Sequence, residues 1–211
     1  MPHYDQEQGT ARENLCRFLA ACYYQPGPEF AEEKVFDSML DAATRIHPDL
    51  AARARRLGEE FSAEGPESLL LDYTRLFLGP SHIIAKPYGS VWLDGEETLM
   101  QDSTMAVQEL YEEGGFEIDE DFRELPDHIA AELEFLYLLI YRENEARRND
   151  DPEALTAMAG LRKRFLDEHL GSWVGPFTAA VKAGAQSGFY RELAELTDRF
   201  VKMEASEDKA A

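Results

Sequence analysis

The sequence predicts an all-α fold, a bundle of about nine helices, on three observations. Apolar residues recur at three- and four-residue spacing in one segment after another. Most of these segments bring their own start and stop residues. Alternating β-branched runs are absent, and so are internal repeats. A hydrophobic fraction of 44% with 11% aromatic residues, in a chain of 211, suits one cored domain over 1–211. Two lobes sharing that core, 1–124 and 125–211, are the alternative division.

The elements follow in order. Thr10-Ala11-Arg12-Glu13 reads as a capping box opening the first helix. Leu15, Phe18, Leu19 and Cys22 form its apolar stripe, and Gln25-Pro26-Gly27 its end. Cys16 and Cys22 point about 240° apart on that helix, so they are expected as buried thiols rather than a local pair. Pro28 opens a second helix with Phe30, Val35, Phe36, Met39 and Leu40 inward. Pro48 opens a third on Leu50, Ala54, Leu57 and Phe61, and Arg45, Arg53, Arg55 and Arg56 form a solvated face. After Gly65-Pro66 a fourth runs from Glu67 to Leu78 with Leu69, Leu70, Tyr73, Leu76 and Phe77 apolar, and stops at Gly79-Pro80.

From Gly79 to Asp94 helical periodicity is missing, and a connection of that length in a compact domain is usually functional or mobile. A fifth helix spans Glu96 to Glu113 on Leu99, Val107, Leu110 and Tyr111, with Gly114-Gly115 as its stop. An acidic connector, Glu117 to Glu124, leads to the sixth helix, Pro126 to about Arg147, apolar nearly all round between Phe135 and Tyr141. There Ile129, Leu133, Leu136 and Ile140 stack on one face, which places this helix in the middle of the bundle. Asp151-Pro152-Glu153 opens a seventh, ending near His169-Leu170-Gly171. Ser172 and Ser187 cap the last two, which carry Trp173, Val174 and Phe177, then Phe189, Tyr190, Leu193, Leu196 and Phe200. The tail from Glu204 is polar and expected to fray.

A net charge of −21 excludes nucleic acid as a partner, because a phosphate backbone needs clustered Lys and Arg. It suits solubility first, and a cationic partner second. Met1 to Asp5 lacks the basic start and apolar run of a secretory signal. Phe135 to Tyr141 is far short of the ~20 residues that span a bilayer. A cytoplasmic protein without membrane insertion is the expectation. No phosphate-binding loop, dinucleotide fingerprint or nucleophile elbow is present, and no motif supports a guanine nucleotide.

Three pieces stand out. Tyr73-Thr74-Arg75-Leu76-Phe77 ends the fourth helix; Pro87-Tyr88-Gly89-Ser90-Val91-Trp92-Leu93 sits in the loop; and Glu124-Leu125-Pro126-Asp127-His128 opens the most apolar helix. Large aromatics in a loop need a surface to pack on. Taken together, Tyr73, Leu76, Phe77, Pro87, Tyr88 and Trp92 beside Glu124 and Asp127 suggest an apolar groove flanked by carboxylates. Such a groove suits a partner that is part greasy and part cationic. His128 and Glu132 share a helix face, which raises metal binding with Asp127. The competing reading is structural: Asp127 charges a helix start, and Glu132 is solvated or pairs with His128.

These pieces, in this order and separation, resemble the TorD/DmsD family of cytoplasmic maturation chaperones for molybdenum-containing oxidoreductases. The segment with His169, Leu170, Trp173, Phe189 and Tyr190 is also similar, and the resemblance covers roughly residues 10 to 200. It implies a non-enzymatic chaperone; no cofactor is expected, and no tightly held metal, because the candidate ligands are few and lie on one helix turn. Such a protein binds the twin-arginine signal peptide and apo form of a molybdopterin-dependent enzyme and assists cofactor insertion before export. It further implies peptide-binding roles for Tyr88, Trp92, Asp127 and His128. With the groove reading added, the set becomes Tyr73, Leu76, Phe77, Pro87, Tyr88, Trp92, Glu124, Asp127 and His128, with the signal arginines meeting Asp127 or Glu124. Two alternatives stand: a helical metal-dependent hydrolase on Asp127, His128 and Glu132, and an assembly chaperone for a non-exported subunit. A monomer is the default, with a domain-swapped dimer open through the connector.

Overall fold

In the computed structural model, which describes residues 6–27, 34–79, 83–95, 99–118 and 123–207, the apolar stripes become ten α-helices. They are α1 (Gln6–Cys22), α2 (Val35–Ile46), α3 (Pro48–Glu64), α4 (Pro66–Tyr73), α5 (Gly89–Leu93) and α6 (Asp102–Gly114). The remainder are α7 (Ile129–Arg148), α8 (Pro152–Glu168), α9 (Leu170–Gly184) and α10 (Gly188–Glu207). A π-helical turn, Thr74–Leu78, prolongs α4. Among the described residues the β-type pairing is one isolated antiparallel bridge, Tyr88 to His128. All-α architecture is therefore as expected, and the short α5 is the helix that periodicity did not mark.

Buried side chains from Leu15 on α1 to Val201 on α10 form one connected core. α7 packs on α1 and α8; α10 packs on α3 and α9. On α7, Ile129, Leu133, Leu136 and Ile140 are buried, as their spacing predicts. Burial on every side is corrected along one edge, where Tyr137 and Leu138 are half-buried and Tyr141 is exposed. The guanidinium of Arg148 lies 5.8 Å from the Tyr141 ring centroid, a cation facing the exposed ring.

Several start and stop signals act as read. Asp151 accepts the Ala154 N–H at 3.0 Å, and the Ser187 hydroxyl accepts that of Tyr190 at 3.2 Å. Gly115 adopts the left-handed conformation at φ 61°, letting the Phe116 N–H reach the Tyr111 carbonyl at 2.8 Å. Cys16 and Cys22 are buried free thiols.

Others are corrected. α1 starts at Gln6, so Thr10 is exposed within the helix, and Glu13 is buried where it accepts from Asn144 Nδ2 at 2.7 Å. α9 has already begun at Leu170, leaving Ser172 to donate its hydroxyl to the Asp167 carbonyl. α7 starts at Ile129 rather than Pro126, and α6 at Asp102. Pro28 and Phe30, Pro80, Glu96 and connector residues 119–122 lie outside the described residues.

The largest correction is at the C-terminus. The sequence places Glu204 in a frayed tail, yet it is wholly buried within α10 and pairs with Arg12 of α1 and Arg162 of α8. Arg162 also pairs with Glu143 of α7, which takes Arg147 at 3.1 Å. This chain of alternating charges pins four helices together. Removing one partner from a buried network strands the others without water or counter-charge, at a cost of about 3–5 kcal/mol. Glu204→Gln should lower stability by that order in urea unfolding. A change within ~0.5 kcal/mol, as for an exposed tail residue, would contradict the pairing.

Candidate functional site

The three pieces singled out in the sequence are joined in space by backbone hydrogen bonds. Within the π turn, the Leu76 carbonyl accepts the Ala85 N–H at 2.9 Å, fastening the loop to the extension of α4. Two residues on, the Pro87 carbonyl accepts the Ile129 N–H at 2.8 Å, and the Gly89 N–H donates to the Asp127 carbonyl at 2.8 Å. These two bonds make the Tyr88–His128 bridge. The Asp127 carboxylate then accepts the Ser90 N–H at 2.8 Å, satisfying an open donor in the first turn of α5. This bond explains why a loop without helical periodicity contains a helix: its cap comes from another segment of the chain.

The same turn is held from further sides. The Tyr111 hydroxyl donates to the Pro126 carbonyl at 2.8 Å, and His128 Nδ1 accepts the Ala130 N–H at 3.2 Å, capping α7. Burial, opposed by nearby Glu124 and Asp127, lowers His128 to about 4, so its imidazole is neutral near neutral pH and Nδ1 can act as an acceptor. Beneath Gly89 sits Glu132, whose Oε2 accepts the Trp173 Nε1–H of α9 at 3.0 Å. A Cβ on Gly89 would lie 3.0 Å from both Glu132 Oε1 and Trp173 Nε1, so a larger residue here would press on both side chains.

Each expected site residue can now be placed. Leu76 (0% exposed), Phe77 (3%) and Tyr73 (7%) are core rather than lining. The Phe77 ring packs on Tyr73 at 5.2 Å, Tyr190 at 5.6 Å and Phe177 at 6.2 Å, and supports the loop from below. Pro87 is buried as well. Trp92 is half-buried, edge-on to Phe177 at 6.4 Å, with its Nε1–H donating to the Lys86 carbonyl at 2.9 Å. Tyr88, also half-buried, meets His128 edge-on at 5.5 Å and donates its hydroxyl to Glu124 Oε2 at 2.6 Å. Asp127 (1% exposed) and His128 (3%) are buried, so direct contact between Asp127 and an arginine is corrected to a supporting role.

Asp127, His128 and Glu132 turn to three different partners: Ser90, Ala130 and Trp173. Among the described residues no group of three His, Cys, Asp or Glu is arranged to hold a metal ion. Glu132 is fully buried rather than solvated, and its bond goes to Trp173 rather than to His128, contrary to both structural expectations for it.

Sequence reasoning missed Tyr24 and Glu134. The Tyr24 hydroxyl donates to Glu134 Oε1 at 2.7 Å, and both are half-buried. Tyr73 and Glu124 act electrostatically on Tyr24, and the same two groups act on Tyr88, so the tyrosine–carboxylate pairs share one neighbourhood. Neither residue belongs to a motif, and only folding brings the end of α1 to this face of α7. Exposed apolar side chains stand on the segments that flank the loop: Leu71 and Leu78 before it, Met100 and Met105 after it.

A family model described as the nitrate reductase delta subunit matches residues 38–179, which contain all the expected site residues. The chain is 29% identical over 171 residues to chaperone protein TorD of Vibrio parahaemolyticus, covering 81% of this chain and 72% of that one. It is 32% identical over 168 residues to the Tat proofreading chaperone DmsD of Salmonella paratyphi A, covering 78% and 80%. A crystal structure from Archaeoglobus fulgidus, assigned to redox enzyme maturation, aligns with a TM-score of 0.53 at 22% identity over 90% of this chain and 93% of that one. That likeness shows the fold.

Burial, reinforced by Asp127, holds the Glu132 carboxyl well above its usual range, against the opposing bond from Trp173. The folded protein therefore keeps this proton longer than the unfolded chain and loses stability as pH rises above the ordinary carboxylate range. Glu132→Gln keeps an acceptor for Trp173 and removes that titration. Its stability relative to the parent should climb with pH, by up to about 1.4 kcal/mol per unit, and converge with the parent near pH ~4. Urea unfolding across that range measures the trend, and a pH-independent difference would contradict it.

Proposed function

The chain belongs to the nitrate reductase delta subunit family, and from that membership we propose that it is a cytoplasmic, non-enzymatic chaperone of the TorD and DmsD type. It binds the twin-arginine signal peptide and apo form of a molybdopterin-dependent oxidoreductase and assists cofactor insertion before export. The observation that carries this reading is the bonded platform of residues 85–92 and 127–129, which holds Tyr88 and Trp92 half-exposed beside Glu124. A signal peptide combines an apolar run with paired arginines, and the platform offers a partner for each. The apolar run packs on Trp92, Tyr88 and the exposed apolar residues that flank the loop. The arginines meet carboxylates at its rim, where a planar guanidinium pairs with two oxygens at once. Tyr73, Leu76, Phe77 and Pro87 hold the platform up, while Asp127 and His128 fix its register.

Rigid presentation matters for affinity, because a loop already ordered loses less entropy on binding. The net charge of −21 adds long-range attraction for the cationic end of the peptide. Among the described residues no helix is long and apolar enough to cross a membrane. One second reading is an assembly chaperone for a non-exported subunit, which differs in the peptide bound and not in the platform. The hydrolase alternative is not carried forward, since the relatives the chain matches are named chaperones.

A synthetic peptide with paired arginines followed by an apolar run should bind the folded protein and weaken as salt rises, because screening acts beyond ~10 Å at 0.1 M ionic strength. Trp92→Ala should weaken binding by about 1–3 kcal/mol at every salt concentration, since apolar burial is not screened. Calorimetric titrations in which folded Trp92→Ala binds like the parent remove the loop from the site.

A further inference from the structure

We infer that Glu134, oriented by Tyr24, forms with Glu124, oriented by Tyr88, the subsite that receives the paired guanidinium groups of the peptide. This inference rests on the proposed function and extends it to two residues outside every motif in the sequence, Tyr24 and Glu134.

The two pairs are built alike. In each, a half-buried carboxylate accepts a tyrosine hydroxyl, at 2.7 Å for Glu134 and 2.6 Å for Glu124. A carboxylate offers about four acceptor positions, so one tyrosine bond leaves a fork-shaped arginine pairing open. Among the described residues neither carboxylate makes a further hydrogen bond or an ion pair. The hydroxyl bonds fix the plane of each carboxylate in advance, so less side-chain freedom is lost when a guanidinium docks.

Position distinguishes these two from the other acids of a chain holding 42 Asp and Glu. Asp127 and Glu132 are too deeply buried to meet a peptide. Many surface acids already serve arginines or lysines of this chain, as Glu192 serves Arg53 and Glu195 serves Lys182. Glu124 bonds the platform's Tyr88, and it is close enough to act on Tyr24, the partner of Glu134, and on Tyr73 as well. Burial already pushes the Glu134 carboxyl up against the opposing bond from Tyr24, so its charge lacks a counter-ion that a bound arginine supplies.

The test is a double-mutant cycle between protein and peptide. Affinities are measured for a peptide with paired arginines and an apolar run, and for the same peptide with both arginines replaced by glutamine. The proteins are the parent, Glu134→Gln, Glu124→Gln and Tyr24→Phe, each checked for folding by circular dichroism. Glutamine retains an acceptor for the tyrosine hydroxyl, so the surrounding structure is kept. The expected result is a loss of about ten-fold or more for the arginine peptide with either glutamine variant, a smaller loss with Tyr24→Phe, and no loss for the glutamine peptide. Equal effects of Glu134→Gln on both peptides, or no effect, in a parent that prefers arginine would overturn this inference and leave the proposed function standing. A parent that binds neither peptide overturns both.

Discussion

The antiparallel pairing of residues 87–89 with 127–129 is the constraint on which the rest of the site depends. It consists of two backbone bonds and one carboxylate cap, yet it decides where three segments of the chain meet. Through it, Asp127 starts α5, and α5 in turn carries Trp92. Through it also, Tyr88 reaches Glu124. Backbone pairing of this kind leaves little to side-chain chance, since a shift of one residue would exchange the two faces of the paired segments. Gly89 is the position where the pairing is tightest toward the core, because Glu132 and Trp173 lie close below it.

The molecule divides its polar interactions between two jobs. Away from the platform, the buried chain Arg12, Glu204, Arg162, Glu143 and Arg147 fastens α1, α7, α8 and α10 to one another. Asp72 does similar work for α4, accepting the Gln186 and Ser187 N–H groups at the α9–α10 turn. At the platform, polar groups instead set backbone register and aim aromatic and acidic side chains outward. Beneath the loop lies a cluster of aromatic rings, Tyr23, Tyr73, Phe77, Phe177 and Tyr190, which transmits the rigidity of the bundle to its underside. Closely packed rings of this sort resist deformation, and a binding surface resting on them inherits that stiffness.

Much of this was legible in the sequence. Helix periodicity and local caps such as Asp151, Ser187 and Gly115 depend on neighbours a few residues away, so a linear reading finds them. The three pieces of the site were also legible, because proline, histidine and large aromatics in a loop are costly without a purpose. What escaped reading depends on distant partners. Glu13 read as part of a capping box and Glu204 as the start of a frayed tail until Asn144, Arg12 and Arg162 were brought to them. Asp127 looked like a ligand for a cation until Ser90 was placed on it. The π turn at Thr74–Leu78 and the short α5 belong to the same class, since both sit where the chain turns into a tertiary contact.

On the proposed function, residues 85–92 and 127–129 behave as one unit and meet the peptide together. Amide hydrogen exchange, with and without the paired-arginine peptide, tests it most directly. The amides of Gly89, Ser90 and Ile129 should exchange with a common protection in the free protein and slow together when peptide binds. Independent exchange of these three amides, or peptide-induced protection centred on α2 and α3 instead, would contradict it.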